Sequence, residues 1–139
     1  MSEPALESVR FTVLGPPRPK ERPRVTTRGT FTPTRTKQYE RAVGHAAILH
    51  ASRSWALDGV YRVTCLFVFK SRRHPDGDNC LKAALDGMEG ALYRNDKQVM
   101  ETSARMVVEP GGQERTEVVV ERIGDAPVRV RKSRAKGAA

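Results

Sequence analysis

Val60-Tyr61-Arg62-Val63-Thr64-Cys65-Leu66-Phe67-Val68-Phe69 is the stretch on which the fold turns. Tyr61, Val63, Cys65, Phe67 and Phe69 fall on one side of an extended chain, and Val60, Thr64, Leu66 and Val68 on the other. Both faces are therefore largely apolar, which marks a central strand. Asp58-Gly59 turns the chain into it, and Lys70-Ser71-Arg72-Arg73-His74-Pro75 leaves it as a basic loop. The period then changes. From Asn79 to Glu89, Leu81, Ala84, Leu85 and Met88 form a helical apolar stripe, which Gly87 and Gly90 bring to an end.

Between loop and helix stand Asp76-Gly77-Asp78-Asn79, two aspartates one residue apart, and a third, Asp96, returns in Asn95-Asp96-Lys97-Gln98-Val99. Close carboxylates repel, so a site holding three must neutralise them by protonation or by binding a divalent cation. Taken singly each has an ordinary role: Asp76-Gly77 as a turn, Asp78 as a helix cap, Asp86 as the partner of Lys82, Asp96 as a loop residue. Together they occupy a strand end, a helix start and the approach to the next strand. Those are neighbours in a sheet with short crossovers, so the three carboxylates are expected to meet at one edge. Asp78, Lys82 and Asp86 repeat every four residues and share a face away from the apolar stripe. A calcium EF-hand is excluded, because Cys80 and Leu81 stand where its oxygen ligands and glycine belong. A nucleophilic Asp-x-Asp on a strand tip is excluded by the intervening basic loop.

Toward the N-terminus, Val9, Phe11 and Val13 alternate within Val9–Leu14, a half-buried strand that stops at Gly15-Pro16-Pro17. From there to Arg41 the chain carries Arg18, Lys20, Arg22, Arg24, Arg28, Arg35, Lys37 and Arg41 against only Glu21 and Glu40. Pro16, Pro17, Pro19 and Pro23 forbid a helix through its first half, so it reads as an extended cationic arm suited to phosphates. Pro33-Thr34 with Thr36 marks a helix start, and Tyr39, Ala42, Val43, Ala46, Leu49 and His50 give an apolar face, predicting a helix from Thr36 to Trp55. His45 and His50 lie five apart, do not share a face, and are read as helix-surface or satisfied histidines rather than a metal pair.

Toward the C-terminus, Thr102, Ala104, Met106 and Val108 alternate. Pro110-Gly111-Gly112 turns the chain, and Val118, Val120 and Arg122 alternate back, which predicts a hairpin with a long loop. The tail after Ile123 holds Arg129, Arg131, Lys132, Arg134 and Lys136 with no acid after Asp125, and is expected to be disordered. The 139 residues fit one domain, taken as 1–124 with the basic tail 125–139.

Lys and Arg outnumber Asp and Glu by 25 to 16, a formal charge of +9, which favours a polyanionic partner. A membrane surface suits only the tail, and the tail lacks an amphipathic apolar face; nucleic acid suits the whole chain. Cys65 and Cys80 have neither the spacing of a zinc pair nor the density of a disulfide scaffold, and Met1–Ser8 is no signal peptide. A cytoplasmic protein with buried thiols is expected.

Four pieces in order carry a resemblance: Gly15-Pro16-Pro17-Arg18-Pro19-Lys20-Glu21-Arg22-Pro23-Arg24; Thr32-Pro33 before a helix with Tyr39-Glu40; Pro75-Asp76-Gly77-Asp78-Asn79 with Lys82 and Leu85-Asp86-Gly87; and Asn95-Asp96-Lys97-Gln98-Val99. From Val9 to Ile123 the chain resembles the RusA family of Holliday junction resolvases. The resemblance implies a small homodimeric endonuclease, usually phage- or prophage-encoded, that needs Mg²⁺, with Mn²⁺ as a substitute, and cuts four-way junction DNA. It further implies that Asp76, Asp78 and Asp96 bind metal and that Lys82 is the catalytic lysine. Asn95 stands where relatives often carry a second aspartate. Asp86 and Asn79 are secondary candidates beside the site. Arg18, Lys20, Arg22, Arg24, Arg28, Lys70, Arg72 and Arg73 are the expected DNA contacts.

The reading is thus an α+β domain, roughly β-α-β-α-β-β, with a mixed sheet and packed helices. Its leading function is structure-selective cutting of branched DNA in recombination and repair. The alternative is a non-catalytic nucleic-acid-binding protein whose aspartates are turn and cap residues.

Overall fold

The computed structural model describes residues 6–21, 24–27, 29–31 and 34–125. Arg22, Arg28, Thr32-Pro33, the side chain of Arg24 and the tail from 126 onward lie outside the described residues.

Strand β1 (Glu7–Leu14) buries Val9, Phe11 and Val13, as its alternation predicts. Two short strands, β2 (Arg24–Thr26) and β3 (Gly29–Phe31), pair antiparallel as a small separate ribbon in the arm. Helix α1 (Thr34–His50), strand β4 (Gly59–Phe69), helix α2 (Gly77–Met88), a single 3-10 turn at Asp96–Gln98, and strands β5 (Val99–Val108) and β6 (Arg115–Asp125) complete the chain. The result is α+β with a mixed four-stranded sheet in the order β1-β6-β4-β5.

Strand β4 is interior, as expected, parallel to β5 and antiparallel to β6. Tyr61, Val63, Cys65 and Phe67 are fully or almost fully buried under the helices, together with Val118 and Val120 of β6. On the opposite face the strand is only half covered, and there Arg62 reaches Glu121 (2.8 Å) on β6 and Glu101 (3.6 Å) on β5.

The predicted hairpin between β5 and β6 does not form, because β4 lies between them. The connection after β5 passes the end of β4: Glu109 N–H donates to the Phe69 carbonyl (2.7 Å), and Lys70 N–H donates to Glu114 Oε2 (3.0 Å). Crossing one strand means moving two sheet spacings, about 10 Å, which six residues able to span about 20 Å do easily. A strand as apolar as β4 is better served by neighbours on both edges than by leaving one bare.

Helix α1 differs from its prediction at both ends. It stops at His50 rather than Trp55, and Trp55 instead donates its indole N–H to the Leu92 carbonyl (2.8 Å). Its buried stripe is Thr36, Tyr39, Val43 and Ala47, leaving Leu49 two-thirds exposed. Tyr39 and Val43 are buried as predicted, the Tyr39 hydroxyl lying 2.6 Å from that of buried Thr116, while Thr36 and Ala47 are buried with them in place of Leu49 and His50. Helix α2 begins two residues earlier than predicted and buries Cys80, Ala83, Ala84 and Met88. The two helices touch through glycines: a Cβ on Gly44 would lie 2.7 Å from the Gly87 carbonyl oxygen, and one on Gly87 would lie 2.8 Å from that of Glu40. That close crossing sets Glu40 of α1 beside Asp86 of α2.

Candidate active site

The loop that delivers the acidic pair is held by His74, whose ring stacks on Phe69 at the end of β4 (centroids 4.5 Å apart, 14° between planes). Asp76 follows as the N-cap of α2, accepting the Asp78 N–H through Oδ1 at 3.1 Å. The cap is therefore Asp76 and not Asp78. Gly77 lies against β5, since a Cβ there would meet Met106 Sδ at 2.7 Å, so the first turn of α2 rests on that strand. Asp76, Asp78 and Lys82 are all exposed. The side chains of Asp78 and Lys82 make no hydrogen bond or ion pair among the described residues, leaving both for a ligand.

Asp96 is placed by the other end of α2. Tyr93, fully buried, donates its hydroxyl to the Leu85 carbonyl (2.7 Å), which folds the connection back onto the helix. Burial raises the Tyr93 pKa well above its ordinary value, so the phenol stays a donor. Asn95 caps the 3-10 turn by accepting the Lys97 N–H (2.8 Å). Gln98 accepts the N–H groups of Arg94 (2.9 Å) and Asn95 (2.8 Å) and donates to the carbonyls of Leu57 (2.8 Å) and Gly59 (3.0 Å). Gln98 thus pins the Asp96 turn to the start of β4, a task that periodicity gives no sign of.

Within one chain Asp96 joins Asp86 and Glu89, whose carboxylate oxygens and its own all lie within 4.8 Å of one another. Asp76 and Asp78 do not belong to that group. Asp78 and Asp86 are eight residues apart on a helix rising about 1.5 Å per residue, so about 12 Å separates them along the axis. Lys82 stands between them, one turn from each. Asp86 is not paired with Lys82, as the four-residue spacing suggested, but with Lys20 of the arm at 3.1 Å.

Three carboxylates this close are a hard-oxygen donor set of the kind that Mg²⁺ or Ca²⁺ takes, and their mutual repulsion falls when a cation joins them. On the α1 side Asp86 and Glu89, though not Asp96, line an open groove of about 760 Å³, whose other wall carries Lys37, Arg41 and His45. Lys70, Arg72 and Arg73 are exposed beside the Asp76 end, while Arg18 is partly covered. Lys20, expected as a DNA contact, is already engaged by two carboxylates, Glu40 at 2.6 Å and Asp86 at 3.1 Å.

No curated protein matches the chain. The family model described as Endodeoxyribonuclease RusA matches residues 15–121, a span that takes in the arm, both helices and the acids Asp76, Asp78, Asp86, Glu89 and Asp96. With most of its length covered by that one model, the chain belongs to the RusA family of endodeoxyribonucleases.

Proposed function

We propose that this endonuclease resolves four-way DNA junctions in recombination and repair, working as a homodimer with Mg²⁺, or Mn²⁺ in its place, held by Asp76, Asp78 and Asp96. The observation that carries this is the placing of exposed carboxylates at both ends of α2, Asp76 and Asp78 at its start and Glu89 and Asp96 at its end, in a chain of charge +9. A divalent ion in such a donor set makes a bound water more acidic and draws off charge building on phosphate oxygens. Asp76 and Asp78 supply ligand oxygens from the first turn of α2, and Lys82 reaches the scissile phosphate or the leaving oxygen from one turn further on. Arg18, Arg22, Arg24, Arg28, Lys70, Arg72 and Arg73 hold the DNA backbone against the repulsion of the acids. The work on DNA takes place in the cytoplasm, in keeping with free, buried Cys65 and Cys80.

Ligands of one Mg²⁺ lie about 2.1 Å from it, whereas Asp96 sits with Asp86, whose backbone is about 12 Å along the helix from that of Asp78, which favours a site shared between two chains over one in which Asp78 and Asp96 of the same chain hold one ion. A two-fold axis that runs two α2 helices antiparallel sets Asp76 and Asp78 of one copy against Asp96 of the other, and it yields two sites for the two incisions that a near-symmetric junction needs. A second reading, a site made by Asp86, Glu89 and Asp96 of a single chain, is favoured by their spacing. Subunit mixing separates them. Asp76→Asn and Asp96→Asn, each inactive alone, should regain Mg²⁺-dependent nicking of a labelled junction when mixed if the site is shared, because half the mixed sites are then intact. No recovery in a verified mixed dimer, or a monomer by sedimentation on and off DNA, rules the shared site out. Full activity of Asp76→Asn removes Asp76 from the chemistry.

A further inference from the structure

Pro19-Lys20 is the point at which the arm is tied to both helices. Lys20 N–H donates to the carbonyl of Asn79 in the first turn of α2 (2.9 Å). The buried Thr36 hydroxyl, in the first turn of α1, donates to the Pro19 carbonyl (3.2 Å). The Lys20 side chain then runs between the helices, with Nζ 2.6 Å from Glu40 Oε2 and 3.1 Å from Asp86 Oδ2. These three side chains are only 23 %, 21 % and 26 % exposed. Burial by itself would lower the lysine's pKa, but its hydrogen bonds to Glu40 and Asp86 outweigh that and raise it above the ordinary value, so it stays charged.

Two of the ammonium's three donors are held by carboxylates on two helices and the side chain is only 23 % exposed, which leaves one N–H and little surface for a phosphate. Lys20 does offset charge at the edge of the Asp86, Glu89 and Asp96 group, and its backbone lies on Asn79, the residue after Asp78. We propose that Lys20 is a positioning residue of the nuclease: it clamps the cationic arm onto the first turn of α2, so that arm and acidic pair address the same stretch of DNA, and does not itself touch that DNA. The role rests on the junction-cutting reading, while the clamp stands independently of it.

The full chain carrying Lys20→Met, Lys20→Arg or Glu40→Gln tests this with three readouts. Hydrogen exchange of the Lys20 amide, bonded to the Asn79 carbonyl, should speed up at least about tenfold in Lys20→Met, less in Glu40→Gln, and little in Lys20→Arg, whose planar fork can still bridge two carboxylates. Junction affinity measured without divalent ions across a salt series should keep its wild-type slope, whereas losing a phosphate contact lowers that slope by about one. Single-turnover nicking with Mg²⁺ at saturating protein should fall about tenfold in Lys20→Met and recover in Lys20→Arg. A lowered slope with unchanged exchange makes Lys20 a DNA contact and overturns the proposal, as do unchanged exchange and nicking together, or a loss that arginine does not rescue. Should Lys20→Met fail to fold, Glu40→Gln carries the same three readouts. A wild-type chain that never nicks a junction ends the junction reading, and the exchange result then decides the clamp alone.

Discussion

Asp76 does two jobs that one pair of substitutions pulls apart. As the N-cap of α2 it accepts the Asp78 N–H at 3.1 Å, and as a proposed metal ligand it contributes charge. Asn caps a helix as well as Asp does, so Asp76→Asn should keep the cap and lose the ligand, whereas Asp76→Ala loses both. Removal of a cap costs about 1 kcal/mol, and α2 cannot fray cheaply because Cys80, Ala83, Ala84 and Met88 are fully buried. With an unfolding entropy of about 2.1 cal/mol/K per residue over about 120 ordered residues, that cost lowers Tm by about 4 °C in the alanine variant and by about 1 °C or less in the asparagine one. Nicking of a mobile junction with Mg²⁺ should fall at least about 100-fold in both, equivalent to about 2.7 kcal/mol of lost transition-state stabilisation. Junction binding without divalent ions should be equal or tighter, since a negative charge has left the surface that meets phosphate. Thermal melts, single-turnover nicking and gel shifts on the two variants measure each quantity. Equal melting of Asn and Ala variants refutes the cap, and nicking retained in Asp76→Asn while Asp76→Ala is dead would mean that the charge is not what matters.

Gln98→Ala removes the clamp under the Asp96 turn and leaves the carbonyls of Leu57 and Gly59 without their donor; we expect a loss of about 1–3 kcal/mol in denaturant melts, and slowed nicking with junction affinity unchanged. A Tm within a degree of wild type would show that the clamp holds nothing. Burial pushes the Cys65 thiol up to about 12 and the Cys80 thiol up to about 11, from an ordinary value near 9.0. Below pH 9 both folded and unfolded chains keep these protons and stability is unaffected; above it only the unfolded chain releases them, so stability falls by up to about 1.4 kcal/mol per pH unit per thiol until the folded values are reached. Melts from pH 8 to 10.5 should therefore decline, with native thiols unreactive to iodoacetamide at pH 8. A flat profile or rapid native alkylation contradicts that.

Much of the site's chemistry is legible without coordinates because it is local. Asp76, Asp78 and Lys82 are ordered by their spacing along one helix, and the polar Asn79 is placed by the same few residues. Partners that arrive from elsewhere are not legible in this way. Lys20 is 66 residues before Asp86, and nothing in the periodicity of either segment favours it over Lys82, which has the ideal four-residue spacing. The choice is made by the glycine crossing of α1 and α2 and by the arm's bond to Asn79, which leave Lys20 the more enclosed and better-directed donor.

By itself the sequence determined the elements whose signal is a repeat: the alternation of β1, the doubly apolar β4, helix α2 with Ala84 and Met88 of its stripe buried and Leu81 and Leu85 only partly so, and a cationic chain bearing an acidic group. A period of two or of 3.6 is imposed by each residue's own backbone and by which side faces the core, so it survives without knowledge of neighbours. Only the tertiary structure decided that β6 enters between β1 and β4, that α1 turns Thr36 and Ala47 inward and leaves Leu49 out, and that Asp96 sits with Asp86 and Glu89 while Asp76 and Asp78 lie at the other end of the helix. Those outcomes depend on competition among distant segments for the same edge, face or charge. Strand alternation is identical for a strand paired with either neighbour, and a carboxylate's partner is settled by which cation the packed helices bring within reach.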